Sequence, residues 1–101
     1  MSDAGEPANT VNLSGPKTLY ESSEVRELLR SELEGRTSLL LDLETSGPWD
    51  LAGVQLLVAA VCSGRTRGVP VRFVNVPRVC VEVAERSGLR DWLGEYTDSF
   101  L

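Results

Sequence analysis

Residues 39–63 limit the possible folds of this chain more than any other stretch. A nearly uninterrupted apolar run, Leu39-Leu40-Leu41-Asp42-Leu43, leads into the turn residues Glu44-Thr45-Ser46-Gly47-Pro48, and a second apolar run follows from Trp49-Asp50-Leu51 to Cys62. A run as short as the first, closed by Gly and Pro, suits a strand buried on both faces and predicts a central strand at about 38–43. The longer run predicts a helix. Asp50 can cap it, because a carboxylate there accepts the free N–H groups of the first turn and lies at the positive end of the helix dipole.

The flanking segments extend the same alternation. Residues 1–10 are small and polar with Gly5 and Pro7 and read as a flexible tail, leaving 11–101 as one domain. Val11-Asn12-Leu13 reads as a short strand closed by the turn cluster Ser14-Gly15-Pro16. Leu19-Tyr20 either continues an edge strand or leads into a helix. With Ser22 or Ser23 as cap, that helix places Val25, Leu28, Leu29 and Leu33 on one stripe, keeps a mainly acidic outer face, and ends near Gly35. Helix two is predicted to end near Gly64, with Arg65-Thr66-Arg67-Gly68 as a basic connection. Val69-Pro70-Val71-Arg72-Phe73-Val74-Asn75 is rich in β-branched residues and reads as a strand. Pro77 opens helix three, which carries Val79, Cys80, Val83 and Ala84 on its apolar stripe and stops at Ser87-Gly88. Trp92, Tyr96 and Phe100 stand four residues apart and share a face if that segment is helical, packing either on the domain's own core or along a homodimer seam. Strands alternating with helices imply an α/β fold: a small mixed or parallel sheet of about four strands packed by three to four helices.

Composition removes several function classes. The 101 residues carry 15 acidic and 10 basic side chains, a net charge of −5, which argues against a nucleic-acid binder that must neutralise phosphates. There is no histidine, the commonest general base and metal ligand. Cys62 and Cys80 lie in separate apolar segments, so they read as buried thiols of a reducing cytoplasm rather than as zinc ligands or a disulfide. No apolar run is long enough to span a bilayer, and Met1-Ser2-Asp3-Ala4-Gly5-Glu6-Pro7 lacks the basic start and apolar core of a secretory signal, so a cytoplasmic location is expected. No Gly-rich phosphate loop, nucleophile–base pair or metal set is present, so neither an enzyme, a cofactor nor a nucleotide site is expected; a nucleotide-binding domain is the weakest alternative.

The order of elements, together with the residues at helix two, resembles the STAS family, named for sulphate transporters and anti-sigma factor antagonists. Members carry an apolar strand with an Asp, a loop, then a second Asp followed by small residues and a Leu-rich helix. Here these are Leu41-Asp42-Leu43 and Asp50-Leu51-Ala52-Gly53-Val54-Gln55-Leu56-Leu57. Val11-Asn12-Leu13-Ser14-Gly15, Val71-Arg72-Phe73-Val74-Asn75 and Ala84-Glu85-Arg86-Ser87-Gly88-Leu89 match in order, so the likeness spans about 11–93. The resemblance implies a non-catalytic protein–protein interaction module in bacterial signalling or regulation. In the anti-sigma antagonists a partner kinase phosphorylates the second residue after this Asp, which here is Ala52. Alanine cannot carry the phosphate, so the usual switch is expected to be missing. Thr45 and Ser46 are the nearby hydroxyls that could take the phosphate instead, and turn chemistry accounts for both equally well. Alanine at this position resembles the branch with chemotaxis-associated domains and the STAS subunit of lipid-transporting ABC systems. The implied partners are an anti-sigma-type serine kinase, a chemotaxis-linked signalling protein or an ABC ATPase subunit.

Helix two itself suggests where docking would occur. At 100° per residue, Leu51, Val54, Leu57, Val58, Val61 and Cys62 form one broad face directed at the sheet, and Ala52, Gln55, Leu56, Ala59, Ala60 and Ser63 form the other. No Lys or Glu lies between Leu51 and Gly64, so a neighbouring element or a partner must cover the second face. The expected partner-binding set is Trp49, Asp50, Leu51, Ala52, Gln55, Leu56 and Ala59. Trp49 is either a binding anchor or a core staple before the cap, and Asp50 a cap rather than a general acid.

Overall fold

The first apolar run becomes the middle of a sheet. The structure, a computed structural model, describes residues 10–101; the expected tail lies outside them apart from Thr10, which opens the first strand. Strands β1 (Thr10–Asn12), β3 (Leu39–Asp42) and β5 (Val71–Val74) form a parallel sheet with β3 in the centre, Val11 pairing with Leu41 and Leu41 with Phe73. Leu39 and Leu41 are fully buried while Leu40 and Asp42 are half-buried, so β3 is covered on both faces but unequally. Strands β2 (Gly15–Lys17) and β4 (Ser46–Trp49) pair in a second, two-stranded parallel sheet. Both segments read as turns in the sequence. A two-stranded ribbon has only edge strands, and there the exposed Pro16 and Pro48 sit without breaking a central ladder. The α/β class therefore holds, with five strands in two small sheets where about four in one were expected.

The helices follow the caps and glycines. A 3-10 turn, Leu19–Glu21, leads directly into α1 (Ser22–Leu33). Neither Ser22 nor Ser23 caps α1, whose N-cap residue Glu21 makes no side-chain capping bond; Thr18 instead caps the 3-10 turn before it, its hydroxyl accepting from Tyr20 N–H while Glu21 Oε1 accepts from Thr18 N–H at 3.0 Å. Val25, Leu29 and Leu33 are buried as expected, but Leu28 is largely exposed. Helix α2 (Leu51–Arg67) is longer than predicted and ends at Gly68 in the left-handed conformation, φ 73°. Gly64 lies inside it, where a side chain would strike Val69 O and come within 2.7 Å of Val71 Cγ2. Arg65 and Arg67, read as a connection, occupy the last turn, where cations suit the helix dipole.

Helix α3 (Arg78–Arg86) starts after Pro77 and stops before Gly88. Its stripe is narrower than predicted, with Cys80 and Ala84 buried and Val79 exposed. Helix α4 (Arg90–Tyr96) is short, and residues 97–101 leave it to run beside β5: Asp98 N–H donates to Phe73 O at 2.7 Å and Val76 N–H to Ser99 O at 3.1 Å. The predicted three-aromatic face therefore breaks. Trp92 stacks between Phe73, centroids 6.2 Å apart, and Tyr96, at 5.2 Å, whereas Phe100 is off the helix and exposed. Among the described residues no helix is long and apolar enough to cross a membrane.

The two cysteines differ. Cys80 is buried, as expected, but Cys62 faces solvent on α2. Burial pushes the Cys80 thiol up to about 12 from 9.0. Because the native state holds that proton more tightly, the associated stability is complete below about pH 9 and declines as pH rises through about 12. At pH 8 a thiol reagent is therefore expected to label Cys62 rapidly and Cys80 only on unfolding, which peptide mass mapping with and without urea will read directly.

Candidate functional site

The start of α2 is built from an unusually economical set of contacts. Asp50 is the N-cap the sequence predicts: one carboxylate oxygen accepts from Gly53 N–H at 3.2 Å. Its other oxygen accepts from Leu19 N–H at 3.0 Å, thirty-one residues earlier in the chain, and its own N–H donates to Lys17 O at 3.3 Å. One side chain thus ties the first turn of α2 to the 3-10 turn and to β2. Gly53 completes the junction, since its missing side chain leaves room for the Lys17 carbonyl to sit against the helix.

Lys17 anchors the same corner from inside. It is the one charged side chain buried among the described residues, and its Nζ donates to the carbonyls of Ser14 at 2.5 Å, Gly15 at 3.0 Å and Pro16 at 3.2 Å. Burial draws its pKa below the usual lysine range, with the nearby Glu21 carboxylate opposing that shift. Hydrogen bonds from Thr18 in turn hold the Glu21 carboxyl below its ordinary value. This cation closes a loop on itself.

The predicted partner-binding residues separate into two groups. Leu51, Ala52, Gln55 and Ala59 are exposed or half-exposed on one side of α2, with Asp50 at its tip. Trp49 and Leu56 are only 7% and 3% exposed and belong mainly to the core. Trp49 is a core residue whose Nε1 donates to Ser46 Oγ at 2.9 Å, and Ser46 Oγ donates onward to Leu43 O at 2.6 Å. Leu56 and Ala60 turn toward α1, which covers a second side of the helix, while Leu51 and Cys62, assigned to the sheet-facing side by projection, are exposed. The projection fails because α2 packs on both the sheet and α1, so its buried arc is wider than one face and rotated toward α1.

Two surface residues escape the sequence reading. Leu19 is 67% exposed and Tyr20 94%, on the turn that Asp50 holds beside the first turn of α2, where Leu51 is 43% exposed. Three large apolar side chains thus project at one corner, next to a helix side without charge. The signal was present as an apolar pair between the Thr18 cap and Ser22, but periodicity cannot tell a lead-in from an edge strand. Thr45 is exposed, with its hydroxyl 3.3 Å from Asn12 Oδ1. Among the described residues no group of three or more His, Cys, Asp or Glu could hold a metal ion.

Comparison with known proteins agrees with this architecture. The model of the family described as "Mlab, STAS domain" matches residues 2–95. No curated protein matches the sequence. Among solved structures, the sulfate transporter family protein from Wolinella succinogenes is similar with a TM-score of 0.70 and 19% identity, over 88% of this chain and 74% of that one. The STAS domain of a SulP transporter from Vibrio cholerae is similar with a TM-score of 0.63 and 21% identity, over 91% of this chain and 74% of its own. At such identities these two structures speak for the fold, and the family match extends over nearly the whole length, so this chain belongs to the STAS domain family.

Proposed function

We propose that this STAS domain is a non-catalytic, cytoplasmic protein–protein interaction module of bacterial regulation that binds its partner through the start of α2 and carries no phosphorylation switch there. The observation that supports this most is the uncharged side of α2, Leu51, Ala52, Gln55 and Ala59, lying beside the exposed Leu19 and Tyr20 on a turn held rigidly by Asp50. A solvated helix side normally carries Lys and Glu, and apolar anchors around a flat centre are the make-up of a docking patch. The partner types that fit are an ABC ATPase subunit, a chemotaxis-linked signalling protein and an anti-sigma-type kinase. The SulP STAS structure is one case in which this fold belongs to a transporter.

Ala52 has no hydroxyl to accept a phosphate, and the hydroxyl of Ser46 is engaged by both Trp49 and Leu43. Protein isolated from its own cells is therefore expected to show no phosphate at Thr45 or Ser46 by mass spectrometry. For the docking surface, a photo-cross-linking residue in place of Leu51 is expected to capture one discrete protein in the native cell. Ala52→Glu, which adds a charge to a half-exposed site, is expected to cut that yield roughly tenfold or more while Tm stays within a few degrees. An undiminished adduct in Ala52→Glu would overturn this reading.

A further inference from the structure

The two exposed helices enclose a groove whose charge runs opposite to that of the whole molecule. It has a volume of about 270 Å³, with Arg26 and Arg30 on the α1 wall, Ala59 and Ser63 on the α2 wall, and Leu33 and Leu56 in the floor. The chain carries a net charge of −5, yet the charged lining of this groove consists of two arginines and no carboxylate. We infer that the groove receives an acidic amphipathic helix of the partner protein, laid along α2 with carboxylates toward Arg26 and Arg30; this rests on the reading of α2 as the docking surface.

Three observations select that occupant. The arginines are available: Arg26 has no ion-pair partner among the described residues, and Arg30 meets only Glu27 of its own helix, at 3.2 Å with both side chains more than half exposed. An exposed pair of that kind contributes little and exchanges readily for a better one. Arg26 and Arg30 lie one turn apart, so two carboxylates spaced three or four residues on a facing helix can meet both guanidinium forks. Leu51, Gln55, Ala59 and Ser63 also follow at four-residue intervals, which carries the docking strip straight from the tip of α2 into the groove over about 18 Å. Ala59 and Ser63 are small enough for a second helix to approach to about 8–10 Å.

The test places a photo-cross-linking residue at Ala59 in one strain and at Leu51 in another, in the native host, and maps each adduct to a peptide. The expected result is an Ala59 adduct on a segment of helical apolar periodicity that bears two carboxylates three or four residues apart. Charge reversal, Arg26→Glu with Arg30→Glu, is expected to reduce that adduct roughly tenfold or more while Tm falls by only a few degrees, since both side chains are exposed and the Arg30–Glu27 pair contributes little. An adduct at Leu51 with none at Ala59 overturns the groove inference and leaves the docking surface standing. The absence of both overturns the docking surface itself. An Ala59 adduct to a second copy of this chain, to a lipid or to a segment without paired carboxylates, or one indifferent to charge reversal, also overturns the inference.

Discussion

Gly53→Ala is expected to lower stability by about 2–3 kcal/mol, although alanine is by itself the better helix former by about 1 kcal/mol. A methyl group at residue 53 would run into the Lys17 carbonyl and lie 2.8 Å from Trp49 Cε3. Neither neighbour can withdraw: the first is strand backbone that also accepts from Asp50 N–H, and the second is a buried ring tied to Ser46. The helix start must therefore move off β2, weakening the bond from Gly53 N–H to Asp50 and loosening the turn that carries Leu19 and Tyr20. For a domain of this size the loss corresponds to a fall in Tm of roughly 10 °C or more. Gly94→Ala is the control, because Gly94 lies in α4 with nothing near the added methyl and an ordinary backbone angle. That variant is expected to be neutral or stabilised by up to about 1 kcal/mol. Matched urea titrations will separate the two, and equal midpoints would refute the account of why Gly53 is needed.

Phe73→Ala is expected to have the larger effect still, about 3–5 kcal/mol. Phe73 is fully buried in β5, pairs in register with Leu41 and contacts the Trp92 ring. Its loss leaves a cavity between the sheet and α4 that neighbouring backbone hydrogen bonds prevent from collapsing, such as Asp98 N–H to Phe73 O. Against total stabilities of about 5–15 kcal/mol, the variant should unfold at far lower denaturant, and its tryptophan emission should shift as Trp92 loses its ring neighbour. Phe100→Ala, at an aromatic position that is exposed, should change stability by about 0.5 kcal/mol or less. If the two substitutions proved equal, Phe100 rather than Phe73 would share the core with Trp92.

That contrast shows where local pattern ends. Four-residue spacing places Trp92, Tyr96 and Phe100 together only if the helix continues, and α4 stops at Tyr96 because residues 97–101 gain backbone hydrogen bonds along β5. Likewise β2 and β4 escaped detection because parallel pairing joins segments about thirty residues apart, and nothing in Gly15-Pro16 or Gly47-Pro48 names the other as its partner. The candidate site was legible at its tip, where Asp50 as cap and Ala52 without a hydroxyl are properties of single residues. It was illegible along its length, where Leu56 and Trp49 turned inward and Leu19 and Tyr20 outward.

The amino-acid order alone determined the alternation of helices with the main-sheet strands, the buried central strand at about 38–43, the capped start of α2 and the absence of charge along its middle, because each depends on hydrophobic period or on the chemistry of one side chain. Tertiary structure decided which arc of α2 stays open, since α1 covers Leu56 and Ala60 while Asp50 draws the Leu19–Glu21 turn alongside. It also gathered Arg26 and Arg30 opposite Ala59 and Ser63. Exposure is a property of packing between distant segments, so no window along a single chain contains it.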